Sequence, residues 1–217
     1  MKDTQLILFD FDGTVFDTGE GITKGVAYAL THFGIEITDL STLNPFIGPT
    51  LRESFKAHFN LSDDDITKAI GFYREYYQKS GLLQCHPYNG IEAVLRHLKA
   101  AGKTILLATS KPEYFAEKIL IENKMLDCFD DITGATMDEK RTDKAEVIAY
   151  ALKKHSDIPR KNMLMVGDTK YDVAGAKAEG VACVGVLYGY GKGRPELEEA
   201  GAEYIVADVS ELEALLL

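Results

Sequence analysis

Cysteine is scarce and scattered. Cys85, Cys128 and Cys183 are the only three in 217 residues, their number is odd, and no two share a Cys-x-x-Cys spacing. A disulfide framework is excluded, and the three read as reduced thiols, mostly in the core. Long apolar runs are missing as well: nothing approaches the roughly 18 unbroken apolar residues of a membrane span. The first run, residues 6–9, meets Asp10 too soon for a signal peptide, so a soluble, cytoplasmic protein is expected. Basic residues are outnumbered, 24 Lys and Arg against 34 Asp and Glu, for a net charge of −10. Nucleic acid and anionic lipid are recognised by basic patches, so neither is an expected partner. A negatively charged substrate would need positive charge supplied locally. The five histidines (His32, His58, His86, His97 and His155) show no paired metal spacing, and there is no internal repeat.

What is present is ordinary globular composition, 46% apolar and 27% charged. The length is about one and a half times the ~150-residue domain prior, enough for a core without staples. Short unalternating apolar runs at 6–9, 104–108, 163–166, 183–187 and 204–206 have the length and character of strands buried on both faces of a parallel sheet. Between them lie helical patterns, among them Ile91, Val94, Leu95 and Leu98, then Phe115, Ile119 and Leu120, then Ala145, Ile148, Ala149 and Leu152. Alternation of this kind predicts a doubly wound α/β domain. Residues 19–83 break it, with helical stretches at about 21–33, 51–59 and 63–80 and the breakers Asn44-Pro45 and Gly48-Pro49. This reads as an all-helical insertion after the first strand. The glycine-rich stretch 189–193 lacks phosphate-loop spacing and reads as a flexible loop.

The chemistry is concentrated where strands end. Phe9-Asp10-Phe11-Asp12-Gly13-Thr14 closes the first strand with two carboxylates two residues apart, costly to bury unless they meet a cation. In an open α/β sheet those carboxyl ends form the ligand crevice. The strand at 163–166 runs into Gly167-Asp168, with Asp172 four residues on at a helix start, where an acid is also an ordinary cap. Together Asp10, Asp12, Asp168 and Asp172 make an oxygen-rich cluster without His or Cys, which suits Mg²⁺. Residues 104–108 lead into Thr109-Ser110-Lys111-Pro112, a hydroxyl and backbone N–H groups before a helix. Lys144 opens the helix after Arg141-Thr142-Asp143, where a cation opposes the helix macrodipole unless an acid or an anionic ligand faces it; Lys140 is the competing choice.

In this order, Asp10-Phe11-Asp12-Gly13-Thr14, Thr109, Lys144 and Gly167-Asp168 with Asp172 resemble the four motifs of the haloacid dehalogenase superfamily of phosphohydrolases. The helical insertion resembles that superfamily's cap. Residues 10–18, 46–52 and 185–191 look closest to the branch of phosphoglycolate phosphatases and 5′-nucleotidase-like enzymes. The resemblance implies a Rossmann-like core of residues 1–18 and 84–217 and a cap of residues 19–83. It also implies Mg²⁺-dependent hydrolysis of a small phosphorylated metabolite through an aspartyl-phosphate. Asp10 would be the nucleophile and Asp12 the general acid and base. Mg²⁺ would be held by Asp10, the backbone carbonyl of Asp12 and Asp168, with Asp172 orienting the ligands. Thr109 and Lys144 would hold the phosphoryl oxygens, with Gly13, Thr14 and Ser110 lining the substrate and Arg52 reaching in from the cap. A β-phosphoglucomutase-like isomerase is the enzymatic alternative; a phospho-aspartate receiver or a silent binding domain is the non-enzymatic one. The substrate and the oligomeric state are not readable from the sequence.

Overall fold

A computed structural model describes every residue except Lys2 and Glu139. The chain begins with strand β1 (Leu6–Phe9) and the two-residue strand β2 (Phe16–Asp17). Three helices follow: α1 (Gly19–Thr31), α2 (Leu51–His58) and α3 (Asp63–Tyr76). After β3 (His86–Pro87) the order is α4 (Ile91–Ala100), β4 (Thr104–Pro112), α5 (Glu113–Glu122), β5 (Asp131–Ala135) and α6 (Lys144–Leu152). It closes with β6 (Met163–Gly167), α7 (Lys170–Ala178), β7 (Ala182–Val186), α8 (Arg194–Ala200), β8 (Tyr204–Val206) and α9 (Val209–Leu216). The chain divides into two compact units, residues 1–16 with 87–217, and residues 17–86.

The first unit is built on a six-stranded sheet in the order β5-β4-β1-β6-β7-β8, and every pair is parallel. Parallel strands need crossover connections, and the helices that supply them cover the sheet, which is why its strands carry unbroken apolar runs. Leu6, Ile7, Leu8 and Phe9 are all fully buried, with Leu8 beside Leu106 on one side and Met165 on the other. Leu6, Leu8, Leu106, Met163 and Met165 pack with Val147, Ile148 and Ala151 of α6 and Val173 and Ala176 of α7. From β1 the chain steps outward to β4 and β5, then crosses back to β6 on the other side of β1 and steps outward again to β7 and β8. The carboxyl end of β1 is therefore the switch point where such sheets open a crevice.

Strand β5 has no counterpart among the apolar runs of the sequence. Asp131-Ile132-Thr133-Gly134-Ala135 sits at the sheet edge with β4 as its single strand neighbour, and its first two residues are half-buried. An edge strand buries less and so shows a weaker apolar signature. Strand β4 continues to Pro112, four residues beyond the apolar run, and crosses a register shift before α5 begins. Thr109 and Ser110 thus belong to an irregular strand end, and the residue capping α5 is Pro112.

The second unit is helical. Ser62 caps α3 by accepting from the Asp65 backbone N–H at 3.2 Å, and Asp63, Asp64 and Asp65 complement the positive end of the helix. Helix α1 buries Ile22, Val26, Ala29 and Leu30, and α3 buries Ile66, Ala69, Ile70 and Tyr73. The Asn44-Pro45 breaker lies within a short 3₁₀ helix, Leu40–Phe46, which delivers Phe46 edge-on to Phe55 at 5.0 Å. The third predicted helix ends earlier as an α-helix and continues as a π-helical turn, Tyr77–Gly81, whose Tyr77 ring stacks on Tyr73 at 5.3 Å.

Candidate active site

Asp10 follows directly on β1, and its backbone N–H donates to the Val166 carbonyl of β6 at 2.9 Å. The strand pairing therefore continues one residue past the strand and fixes where the carboxylate emerges. The chain then turns at Gly13, whose φ of +84° lies in the left-handed region. A side chain there would be strained by that backbone, and its Cβ would run into the Asp168 carboxylate. Gly13 is thus the point at which the first strand's loop closes on Asp168.

Asp10, Asp168 and Asp172 each place a carboxylate oxygen within 4.8 Å of the others, and all three are buried. Lys144 stands among them. Its Nζ lies 2.7 Å from Asp10 Oδ1, 2.8 Å from Asp172 Oδ1 and donates to the Ala108 carbonyl at 3.3 Å. That accounts for a lysine in the first turn of α6, which Asp143 caps through the backbone N–H groups of Ala145 and Glu146. Lys140, the competing choice, is a surface residue paired with Asp138 at 2.8 Å. Asp172 is anchored on its other oxygen by the Thr169 backbone N–H at 3.0 Å and the Thr169 hydroxyl at 2.8 Å. Asp168 accepts from the Thr14 hydroxyl at 3.4 Å and from the Tyr190 backbone N–H at 2.7 Å.

Burial sets the electrostatics. It pushes Asp10 up to about 7, Lys144 opposing and Asp172 and Asp12 adding to the rise. Asp168 is raised for the same reason, with Asp172 and Asp10 beside it. Burial also acts against the charge on Lys144, but Asp10 and Asp172 together outweigh it and hold the ammonium protonated. Among the described residues, four buried carboxylates (Asp10, Asp12, Asp168 and Asp172) meet two buried lysines, Lys111 and Lys144. The two missing positive charges are what one divalent cation supplies, and an all-oxygen donor set suits a hard ion. The acidic trio can hold a metal.

The remaining site residues are distributed as follows. Thr109 is buried, and its hydroxyl accepts from the Lys111 backbone N–H at 3.1 Å; Ser110 is half-buried. Thr14 is buried on Asp168. The Asp12 side chain does not join the acidic trio; Lys111 holds it at 2.9 Å. Arg52, in the second unit, is exposed on α2 and donates to the Thr67 hydroxyl at 3.4 Å.

Two features escaped the sequence reading. Lys111 was visible beside Thr109, but nothing in its neighbours marks it as buried. The 189–193 stretch, expected to be a flexible loop, is tied to the site. Tyr190 donates its N–H to Asp168, and Tyr188 just before it donates its hydroxyl to the Thr14 carbonyl at 3.0 Å.

A parallel sheet whose central strand ends gather carboxylates around buried ammonium groups is the architecture of an α/β enzyme that handles an anionic, oxygen-rich group. Residues 7–186 match the family model for the haloacid dehalogenase-like hydrolases, and the chain belongs to that family. It is a phosphoric monoester hydrolase. Over 220 residues it is 37% identical to a 5′-nucleotidase of Pseudomonas aeruginosa, covering 100% of this chain and 99% of that protein. A phosphoglycolate phosphatase of Pseudomonas savastanoi pv. phaseolicola is 35% identical over 210 residues, 93% of this chain and 76% of that one. The crystal structure of a predicted phosphatase from Clostridium acetobutylicum superposes with a TM-score of 0.94 at 42% identity, covering 98% of each chain.

Proposed function

We propose that the protein is a Mg²⁺-dependent phosphatase that cleaves a small phosphate monoester through an aspartyl-phosphate on Asp10. The observation carrying this reading is the Asp10 carboxylate, 2.7 Å from the Lys144 ammonium and grouped with Asp168 and Asp172 in a buried cluster. Asp10, the Asp12 carbonyl and Asp168 would hold the ion, with Asp172 fixing Lys144 and the ligand oxygens. When bound, it would offset the repulsion between carboxylate and phosphate, about 4 kcal/mol per pair of unit charges at ~4 Å and an effective dielectric of 20.

The residues divide the work in two steps. An Asp10 carboxylate oxygen attacks phosphorus, the ester P–O bond breaks, and Asp12 gives its proton to the departing oxygen. Water then attacks phosphorus, its proton returns to Asp12, and the Asp10–phosphorus bond breaks to release phosphate. Lys144 and the Thr109 hydroxyl hold the equatorial oxygens as charge redistributes, and Gly13, Thr14 and Ser110 shape the wall. The helical unit serves as a cap that selects the leaving group, with Arg52 as the residue that reads it.

The test is phosphate release from phosphoglycolate, 5′-nucleotides, pyrophosphate and sugar phosphates, with Asp10→Asn alongside. Release that needs Mg²⁺, falls by more than about 10⁴-fold in the variant, and passes through a phosphorylated Asp10 detectable by mass spectrometry supports the reading. Arg52→Ala should reorder the substrates without changing the Mg²⁺ requirement. Phosphate release that survives EDTA, or that Asp10→Asn retains, defeats the proposal.

A further inference from the structure

Lys111 is the buried ion-pairing group that the two-step scheme leaves unused. Its Nζ lies 2.9 Å from Asp12 Oδ1, and the two side chains are 4% and 8% exposed. The same Nζ sits 5.6 Å from the centre of the Phe11 ring, which is fully buried and stacked on Phe16 at 4.8 Å. An ammonium buried beside an aromatic ring has given up most of its water, and replacing a buried pair of this kind by apolar groups is often neutral or stabilising. Fold stability alone does not explain keeping it.

The backbone is shaped to deliver it. Between the pairs Ala108–Thr133 and Pro112–Ala135, four steps along β4 are matched by two along β5, so residues 109–111 bulge out of the ladder. Bulges beside active sites re-aim side chains. Two contacts hold the bulge. The Lys111 N–H donates to the Thr109 hydroxyl at 3.1 Å, and the Lys111 carbonyl passes so close to Gly134 that a Cβ there would lie 2.6 Å from it. An irregular strand end, the Phe11 ring and a facing glycine converge on one outcome, an ammonium seated on Asp12.

We propose that Lys111 is a positioning residue for the proton of the leaving group: by holding Asp12 through Oδ1 it fixes the carboxyl beside Asp10, leaving Oδ2 to exchange the proton with the ester oxygen. This rests on the acid–base reading of Asp12 and adds to it the residue that aims the acid. Lys111 acts through Asp12, so its loss matters only where a proton must be delivered.

That makes the proposal testable by leaving group. An alkyl phosphate departs as a basic alkoxide and needs the proton, whereas p-nitrophenyl phosphate departs as a stable phenolate and does not. kcat/KM reports the chemistry through departure of the leaving group, before the shared hydrolysis step. Lys111→Met should lower kcat/KM for the best alkyl phosphate of the panel by about 10-fold or more beyond its effect on p-nitrophenyl phosphate, within the range that general acid catalysis supplies. Asp12→Asn should show the same selectivity, and adding Lys111→Met to it should produce no further selective loss. Lys111→Arg, which keeps a cation with altered geometry, should fall between wild type and Lys111→Met. If Lys111→Met does not fold, Lys111→Gln carries the same comparison. Equal losses on both substrates in the Lys111 variants, with selectivity intact in Asp12→Asn, would overturn the role of Lys111 alone. No selectivity in Asp12→Asn would overturn the acid–base reading and this inference with it.

Discussion

One chemical pair, a carboxylate with an ammonium, serves in opposite ways on the helical unit's surface and at the strand ends of the α/β unit. In the helical unit the pairs include Lys24–Glu20, Lys68–Asp65 and Lys79–Glu75, each within one turn of a helix and each in water. In the α/β unit, besides surface pairs such as Lys140–Asp138 and Lys154–Asp131, there are buried ones: Lys144 with Asp10 and Asp172, and Lys111 with Asp12, joined across the sheet from residues far apart in sequence. On a helix surface each charge keeps its hydration whether or not the partner stays, so the pair adds little and either member is replaceable. At the strand ends neither member has water to fall back on, and removing one strands the other. The difference teaches that an ion pair's meaning lies in what surrounds it. A charge drawn out of water marks a site, and a charge left in water marks a surface.

Removing the central cation is the strongest way to break this contrast. Lys144→Met should abolish phosphate release and lower the unfolding free energy by about 3–5 kcal/mol in metal-free buffer at pH 8, measured by urea titration. A variant that keeps wild-type stability at that pH would mean that the carboxylates are solvated after all.

The pH dependence sharpens it. Asp10 titrates at about 7 in the fold against 3.8 for an ordinary aspartate, so between those values the native state holds more protons than the unfolded one. Stability in EDTA therefore falls as pH rises from about 4 to 7, with the raised Asp168 adding a loss of the same sign, the reverse of a salt-bridged surface carboxylate. Thermal melts at pH 5 and pH 8 should show the loss. Asp10→Asn should flatten the slope, and Mg²⁺ should restore the wild type at pH 8. A wild type equally stable at both values in EDTA would contradict the buried, underpaired cluster.

The smallest effect belongs to the other side of the comparison. Lys68→Ala should leave both the urea midpoint and phosphate release unchanged, because Lys68 and Asp65 are exposed on α3. A clear drop in either would show that the helical unit's surface charges do more than solvate it.

How much of this was legible follows from how local each signal is. Asp10, Asp12 and Gly13 announce themselves because one apolar strand and one turn carry them all. Lys144 is legible because a lysine in a first helical turn asks for an acid, and the structure supplies two. Lys111 is not, since Ser110-Lys111-Pro112 reads as an ordinary polar strand end. The bulge that turns it inward depends on β5, an edge strand too polar and too short to register as one. The Tyr188–Tyr190 segment is hidden for a related reason. Its glycines suggest looseness, whereas its order comes from bonds to Asp168 and Thr14, 22 and 174 residues away.

Strand β1 lies between β4 and β6, and the β6 edge supplies the Val166 carbonyl that fixes Asp10. This has a consequence for how the molecule comes into being. As the chain leaves the ribosome, Asp10 emerges well before the partners that bury it, which arrive about 100 to 160 residues later, and non-local closures of this kind are slow. Until β6 and α7 have been synthesised, β1 lacks its second neighbour and the acidic cluster around Asp10 is incomplete. A nascent chain stalled before residue 163 lacks Val166, Asp168 and Asp172, so the buried cluster around Asp10 can close only after the central strand acquires its second neighbour.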